Sequence, residues 1–287
     1  MLIQLITNAI IAGSIYSMNA FGFTLIYGTM RFFNMAYGVT FMVGAYLFFA
    51  FYIYLHIPLY LAMVLSMAAT STIMILIDSF SYSKLRRIKA PSWAVVMVSI
   101  GMAIVIESVV TTIFGSDVRT VRSGIQASYT LVGATITPSQ VRILYVSIIL
   151  VVILWFFLRK TKTGKAIRAA AIDPSMATIV GIDIEKIYRV VIIIGSSLAC
   201  VAGVLVSLET DIEPTMGQSA QLKAIVASII GGVGNIRGAM WGGFLLGFVE
   251  NFGIWKISAG WKDGIALILL LSVIALKPSL FGIEEEK

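Results

Sequence analysis

Cysteine and histidine are nearly missing from this sequence of 287 residues, which has only Cys200 and His56. A single cysteine excludes an internal disulfide and a cysteine-cluster metal site. A single histidine leaves no histidine-based metal site and no Ser-His relay. We therefore predict that the chain has no metal site and is not an enzyme.

Charged residues are also scarce in this sequence. Charged residues make up 12% of the chain, roughly half the share of a typical soluble domain, whereas 59% of the residues are hydrophobic. The mean hydropathy is +0.97, and the few charges are bunched at 84–89, 159–168 and 284–286, with long apolar runs between them. Because lipid is the natural solvent for such runs, we predict an all-α, polytopic membrane protein. The cations behind the net charge of +7 flank the apolar runs, so we expect no nucleic-acid partner.

Candidate spans follow from the length of about 20 apolar residues that a helix needs to cross a bilayer. They are 2–27, 35–55, 59–80, 93–114, 141–158, 189–208 and 264–276. The stretch 222–255 is interrupted by glycines around Asn235, and the sequence leaves open one broken helix or a hairpin of two short helices. We predict about eight transmembrane helices in a single domain over residues 1–287.

Basic residues set the expected orientation. The loops at 84–89 and 159–168 are strongly basic and are separated by two spans, so both should lie on the cytoplasmic side. Three spans further back, the N-terminus is then expected outside. Lys277, just beyond the last span, would prefer the cytoplasm and so favours the hairpin.

The segment 161–181 is too polar to span a membrane, yet its alanines favour helix. Asp173-Pro174 can end one helix and start another, because proline suits the first turn of a helix. One interpretation is an ordinary cytoplasmic linker. The other is a docking helix in a groove of a soluble partner, where small alanines allow close approach and Lys165 and Arg168 supply charged contacts.

This segment resembles the cytoplasmic coupling loop of branched-chain amino-acid ABC permeases. In that family the loop, here about residues 159–188, docks into the ATP-binding subunit and transmits its closure to the membrane helices. The matching positions are Thr161, Gly164, Ala166, Arg168, Ala169, Asp173, Pro174, Ala177, Gly181 and Ile182.

Two further stretches resemble the same family, so the resemblance covers the whole chain. Residues 34–38, followed by Gly44-Ala45-Tyr46, are similar to its N-x-A-H-G-[DE] stretch, and residues 231–239 are similar to its G-G-x-G-S-x-P-G-A segment. Tyr37 and Val39 stand where the family usually has a histidine and an acid, and Arg237 replaces a proline. These departures leave open a different amino acid, urea or a short amide as the solute.

The resemblance and the membrane-depth polar residues together suggest a translocation path. The glycine-rich segment either breaks a helix to line a cavity or packs two helices closely. Glu107 lies within a span, where an ionised side chain costs roughly 2.5–3.5 kcal/mol. Of the two interpretations, a paired structural carboxyl and a proton-linked group of the path, we favour the first. The candidate path residues are Asn34, Tyr37, Gly38, Glu107, Gly231, Gly232, Gly234 and Asn235.

Other acidic residues are expected near the membrane surface. Glu250 lies near a span end and should reach interfacial water. Glu209, Asp211 and Glu213 form an external acidic patch, either a solvated loop or a surface for basic residues of a solute-binding protein.

The resemblance implies the permease subunit of an ABC importer that moves branched-chain or related amino acids across the cytoplasmic membrane. It also implies two ATP-binding subunits, a second homologous permease subunit and an external solute-binding protein. The sequence has no G-x-x-x-x-G-K-[ST], so ATP and Mg should be bound by the partner, and no cofactor is expected in this chain.

Two rival functions need features that the sequence does not supply. An ion-coupled secondary transporter would need several ionisable groups in the membrane, and Glu107 is the one clear mid-span case. A membrane-embedded enzyme would need a paired catalytic set within the spans.

Overall fold

The computed structural model describes residues 2–121, 129–131, 134–255 and 258–276. Lys277, on which part of the orientation argument depends, lies outside the described residues. Within them the chain is mostly helical, with one two-stranded ribbon in which β1 (Tyr129–Leu131) pairs antiparallel with β2 (Ala134–Ile136).

The helices follow the predicted order of spans. Two π-helical turns extend them, Ala50–Tyr54 after the second helix and Asp78–Tyr82 between the third and fourth, and a 3-10 turn, Ala259–Trp261, precedes the last helix. The helices are α1 (Leu2–Met30), α2 (Tyr37–Phe49), α3 (Leu59–Ile77), α4 (Ser83–Arg87), α5 (Ser92–Phe114), α6 (Pro138–Lys160), α7 (Lys162–Ile172), α8 (Pro174–Ile179), α9 (Ile184–Ser207), α10 (Met216–Ile230), α11 (Ile236–Gly253) and α12 (Lys262–Leu276).

The prediction of an all-α, polytopic membrane protein is confirmed. By length and composition, six helical stretches among the described residues can cross a membrane, where about eight spans were predicted. Helices α10, α11 and α12 do not combine that length with that apolarity. The six stretches are Leu2–Met30, Tyr37–Tyr54, Leu59–Arg87, Ser92–Phe114, Pro138–Lys160 and Ile184–Ser207.

Burial separates the helices into inner and outer ones. Most of α1 and α9 is buried within the bundle, whereas most side chains of α5 and α6 lie on its outside. The outer side chains are apolar, and such surfaces at membrane depth face lipid or another subunit.

The glycine-rich stretch folds as a hairpin of two helices, α10 and α11, joined by residues 231–235. Gly231 lies against the backbone of Gly238, and Gly242 lies against the carbonyl of Ala227, so a Cβ at either glycine would collide with the facing helix. These pairs run in opposite directions along the chain, so the two helices are antiparallel. The hairpin interpretation is confirmed, and close packing is what the glycines permit.

Contacts of α1 define the two ends of the bundle. Beyond the C-terminus of α1, the Arg31 guanidinium donates to the carbonyls of Ala171 and Ile172 at 2.7 and 3.3 Å. Near the N-terminus of α1, the Gln4 side chain bonds the backbone of Thr135 in β2. A helix of 29 residues is about 44 Å long. We call the end with Arg31 and residues 161–182 the coupling end, and the end with β1 and β2 the distal end.

Candidate functional site

Helix α7 is held against the end of α6 by residues of the predicted coupling motif. The Thr161 hydroxyl accepts from the amide of Gly164 at 2.9 Å and donates to the carbonyl of Phe157 at 2.7 Å. Gly164 is buried against the backbone of Phe157 and Leu158, where a Cβ would collide. Arg168, for which a contact with a partner is predicted, donates to the carbonyl of Leu158 within its own chain. These motif residues stabilise the α6–α7 junction.

The start of α8 has its own cap. Asp173 Oδ1 accepts from the amides of Ser175 and Met176 at 2.8 and 3.1 Å, and Pro174 is the first residue of the helix. The prediction that Asp173-Pro174 ends one helix and starts another is confirmed. Beyond α8, Gly181 has a φ of +86°, a conformation that favours glycine.

The remaining motif alanines differ in exposure. Ala177 is buried, whereas Ala166 and Ala169 are half-buried on α7. The next long helix, α9, is capped by Asp183, whose side chain accepts from the Lys186 amide. Hydrogen bonds from Lys186 lower the pKa of this carboxyl.

A patch of large apolar side chains on the coupling segment was missed by sequence reasoning. Ile172, Met176, Ile179 and Val180 are 80, 62, 78 and 80% exposed. Part of the signal was present in the sequence, because five large apolar residues stand within a segment too polar to cross a membrane, and one of them, Ile167, is buried. We call these four residues the docking patch.

A buried ion cluster lies next to the coupling segment. Asp78, in the π-helical turn after α3, is fully buried and accepts from the Arg86 guanidinium at 2.7 and 3.2 Å. Arg86 also bonds Glu185 near the start of α9 at 2.9 Å and lies 5.0 Å from the ring of Tyr188. The cluster therefore joins the α3–α4 region to the helix that follows the coupling segment. Sequence reasoning missed this cluster. The π-helical turn changes the angular spacing of the side chains, and so decides the directions in which Asp78 and Arg86 point.

Asn34 and Tyr37 of the early motif are buried connectors between helices. The Asn34 carboxamide oxygen accepts from the Ala36 amide at 3.0 Å and from the Tyr82 hydroxyl at 3.2 Å. The Asn34 carbonyl accepts from Gln221 at 3.2 Å. Tyr37 is fully buried, and its hydroxyl donates to the Asn19 carbonyl at 2.8 Å.

Gly38 and Glu107 line a groove of about 420 Å³ between α2, α5, α10 and α12. The Glu107 carboxylate accepts from the Gln218 side chain, at 3.2 Å to each oxygen. Glu107 is thus a paired carboxyl, as expected. Gln218 and Gln221 also line the groove, and sequence reasoning missed both, although polar residues three apart on an apolar helix share one face.

The predicted path residues of the late motif lie elsewhere. Gly234 is next to Gly28 near the coupling end, and the Asn235 side chain caps α11 by accepting from the Gly238 amide at 3.2 Å. Gly231 and Gly232 belong to the same turn, and Gly232 has a φ of +89°. Structurally, the eight candidates divide into a membrane-depth set, Asn34, Tyr37, Gly38 and Glu107, and a turn at 231–235.

The distal end contains a crevice of about 590 Å³ between α1, α10, α12 and the loop after α9. Asp211, Glu213 and Glu209 of the predicted acidic patch line it, and Gln140 donates to Glu209 at 2.8 Å. Lys223, from α10, also lines it.

Lys223 and Glu250 form a second buried ion cluster beside the crevice. Glu250 is fully buried, contrary to the expectation of interfacial water, and accepts from the Tyr16 hydroxyl at 2.7 Å. The Lys223 ammonium lies 3.2 Å from Tyr16 Oη, 3.5 Å from Glu250 and 3.3 Å from Asp263. Glu107 is therefore not alone as an ionisable group in the bundle. The expectation failed because hairpin packing turns Glu250 inward.

In the part of the chain that the structure describes, no group of three or more His, Cys, Asp or Glu is arranged so that it could hold a metal ion. Cys200 is buried and lies 3.7 Å from the Ser66 hydroxyl.

Comparisons of the sequence with known proteins identify its family. The sequence model of the family described as "Branched-chain amino acid transport system / permease component" matches residues 5–274. The chain is 30% identical over 289 residues to the high-affinity branched-chain amino acid transport system permease protein BraD of Pseudomonas aeruginosa, covering 96% of this chain and 94% of BraD. It is 30% identical over 290 residues to the corresponding protein LivH of Salmonella typhimurium, with the same coverage. The chain therefore belongs to the family of branched-chain amino acid transport system permease components.

Proposed function

We propose that this chain is the permease subunit of an ATP-driven importer for branched-chain or related amino acids in the cytoplasmic membrane. It acts as one transmembrane domain over residues 1–287. Membership of the permease family and similarity along almost the whole of BraD and LivH support this choice of solute over urea or a short amide. The partners are two ATP-binding subunits, which bind ATP and Mg, a second homologous permease subunit and an external solute-binding protein.

The docking patch is the observation that carries the proposal. Ile172 ends α7, Met176 and Ile179 lie in α8, Val180 follows it, and all four side chains are exposed. Large apolar side chains clustered in a polar segment are typical of a helix that packs into a groove of a soluble partner. In this assignment the motif residues from Thr161 to Gly181 shape the segment, and the docking patch contacts the ATP-binding subunit.

Fixed contacts provide a route for movement from the docking patch into the bundle. Arg31 ties the end of α7 to α1, and Arg86 ties the start of α9 to Asp78 after α3. From the same π-helical turn, Tyr82 reaches Asn34 before α2. Closure of the ATP-binding subunits on the docking patch would thus move α1, α3 and α9 together and change the side of the membrane to which the path is open.

The path itself is assigned to the groove that Gly38 and Glu107 line with Gln218 and Gln221. Helix α5 on its border presents most of its side chains to the outside of the bundle, as expected of a helix that faces a second permease subunit. Asn34 and Tyr37 brace this groove from behind. The turn formed by Gly231, Gly232, Gly234 and Asn235 keeps the α10–α11 hairpin compact at the coupling end.

The proposal is tested by placing a charge on the docking patch. Because the isoleucine and valine would be desolvated against the partner, Ile179→Asp/Val180→Asp should reduce co-purification of the ATP-binding subunits at least tenfold, about 1.4 kcal/mol of binding free energy, while the permease still inserts and folds. Leu55→Asp is the matched control, since Leu55 is 62% exposed in the turn after α2, far from the coupling end. Uptake of leucine, isoleucine, valine, urea and acetamide by reconstituted complexes then ranks the solutes. Unchanged co-purification, or uptake of urea alone, would contradict the proposal.

A further inference from the structure

The distal crevice has an excess of negative charge in a chain whose formal net charge is +7. Glu209, Asp211 and Glu213 line it together with Lys223 and Lys262. Two further carboxyl groups, those of Glu250 and Asp263, pair with Lys223. Three carboxyl groups and two ammonium groups therefore line the crevice, and the charge of Lys223 is offset by two carboxyl groups behind the wall. A concave site with low-dielectric walls concentrates such a field and raises the local concentration of cations.

Lys223, the deeper of the two cations in the lining, is already engaged. An ammonium group has three donors, and the Lys223 ammonium has three oxygen neighbours at 3.2, 3.3 and 3.5 Å. An anionic ligand would have to displace one of them. With three carboxyl groups in the lining and Lys262 as the one further ammonium group there, the crevice favours a positively charged group.

A buried acceptor supplies an observation independent of the acidic residues. Asn19 lines the crevice at the depth of Tyr16 and Ala220, and its side chain is 3% exposed. Its Nδ2 donates to the Ala220 carbonyl at 2.9 Å, whereas its Oδ1 has no hydrogen-bond partner. Since buried polar atoms are normally hydrogen-bonded, this carboxamide oxygen is an acceptor that a donor in the crevice can satisfy.

The rest of the wall fits an aliphatic group. Ile11, Ile15, Phe41, Val206 and Met216 contribute apolar side chains. The volume of about 590 Å³ falls within the range of about 300–1,000 Å³ that is typical of small-molecule sites.

We propose that the distal crevice binds the ammonium group of a small aliphatic solute, with Asn19 Oδ1 accepting a hydrogen bond from it and the acidic rim attracting it. The preference for an ammonium group rests on the crevice alone. That the natural ligand is an amino acid rests on the proposed function, and the crevice would then be a first contact inside this subunit, separate from the groove at Gly38 and Glu107.

The test measures how fast a cysteine in the crevice reacts with charged reagents. Ala12→Cys, on the α1 wall, is labelled in the purified full chain in lipid nanodiscs with a cationic trimethylammonium-ethyl or an anionic sulfonatoethyl methanethiosulfonate. The ratio of the cationic to the anionic labelling rate should be at least tenfold higher at Ala12→Cys than at His56→Cys, which lies outside the crevice. The unsubstituted chain measures any background from the buried Cys200.

Protection identifies the ligand. Leucinol, which has an ammonium and no carboxylate, should slow labelling of Ala12→Cys, and 4-methylpentanoate, which has the opposite charge, should not. Asn19→Leu should remove the protection and keep the preference for the cationic reagent. Asp211→Asn/Glu213→Gln should reduce the preference for the cationic reagent at least threefold. Asp183→Asn at the coupling end should change neither this preference nor the protection by leucinol.

Three results would overturn the inference: equal cationic and anionic rates, no protection by leucinol, or protection only by the solute-binding protein, which would make the crevice a protein-docking surface. The labelling requires neither ATP nor transport. If assembled complexes take up no amino acid while Ala12→Cys still reacts faster with the cationic reagent, the proposed function is contradicted and this inference stands.

Discussion

The two ends of the bundle differ in which side chains they expose. At the coupling end, the backbone of two short helices is capped from within by Thr161 and Asp173, and large apolar side chains are left exposed. At the distal end, apolar side chains are turned inward around a concave, acidic crevice, and the carboxamide oxygen of Asn19 lacks a partner. The first arrangement suits a protein surface, and the second suits a small polar solute.

Each end also has a buried ion cluster, and the two differ in geometry. Arg86 makes two bonds to Asp78 and further bonds to Glu185. Lys223 makes longer contacts with Glu250 and Asp263 and shares Glu250 with the Tyr16 hydroxyl. A planar guanidinium fixes the direction of two partners, whereas an ammonium is a point charge. The coupling end is therefore built to hold helices in register, and the distal end can rearrange more easily.

The largest effect is expected from Arg86→Met, which leaves the fully buried Asp78 without its cation. Breaking a buried pair from one side costs about 3–5 kcal/mol, so the free energy of unfolding in detergent should fall by that amount. Asp78→Leu/Arg86→Met should recover a large part of the loss. The matched control is Lys186→Met, which removes an exposed pair with Asp183 and should change the midpoint of thermal unfolding little. Equal destabilisation by Arg86→Met and Lys186→Met would remove the contrast between buried and exposed pairs.

A smaller effect is expected from Lys223→Met at the distal end. Glu250 keeps the hydrogen bond from Tyr16, and Asp263 is half exposed, so the loss should be about 1.5–3 kcal/mol. The same variant should strengthen the cationic preference at Ala12→Cys, because one positive charge leaves the crevice. Thermal unfolding and the labelling rates measure the two results. A loss larger than that of Arg86→Met would reverse the comparison of the two clusters.

The smallest effect is expected from Tyr37→Phe, between the two ends. It removes one hydrogen bond to the Asn19 carbonyl and keeps the aromatic packing, which should cost about 0.5–1.5 kcal/mol of unfolding free energy. Uptake of several amino acids should fall by a similar factor for each and keep its rank order, and co-purification of the ATP-binding subunits should not change. A reordering of solute preference would show that Tyr37 contacts the solute directly.

Packing decided which residues of the coupling motif are buried and which are exposed. Gly164 and Arg168 belong to a motif whose presence the sequence showed, yet both act within the α6–α7 junction. The docking patch was present in part in the sequence, as five large apolar residues in a polar segment, of which Ile167 is buried. Helix periodicity and capping residues report local structure, whereas the exposure of a side chain depends on where neighbouring helices lie.

The sequence by itself determined the class of the protein. Long apolar runs with few charges require a helical membrane bundle, because backbone groups in lipid must be satisfied within a helix. Three motifs in order predicted the family. Only the tertiary structure decided that Glu250 and Lys223 lie buried together, that Asp78 meets Arg86, and that Asn19 faces an acidic crevice. The Lys223–Glu250 pair and the position of Asn19 depend on contacts between different helices, which the packing of helix surfaces sets. Asp78 meets Arg86 across the π-helical turn that precedes α4, a local irregularity that the hydrophobic pattern does not predict.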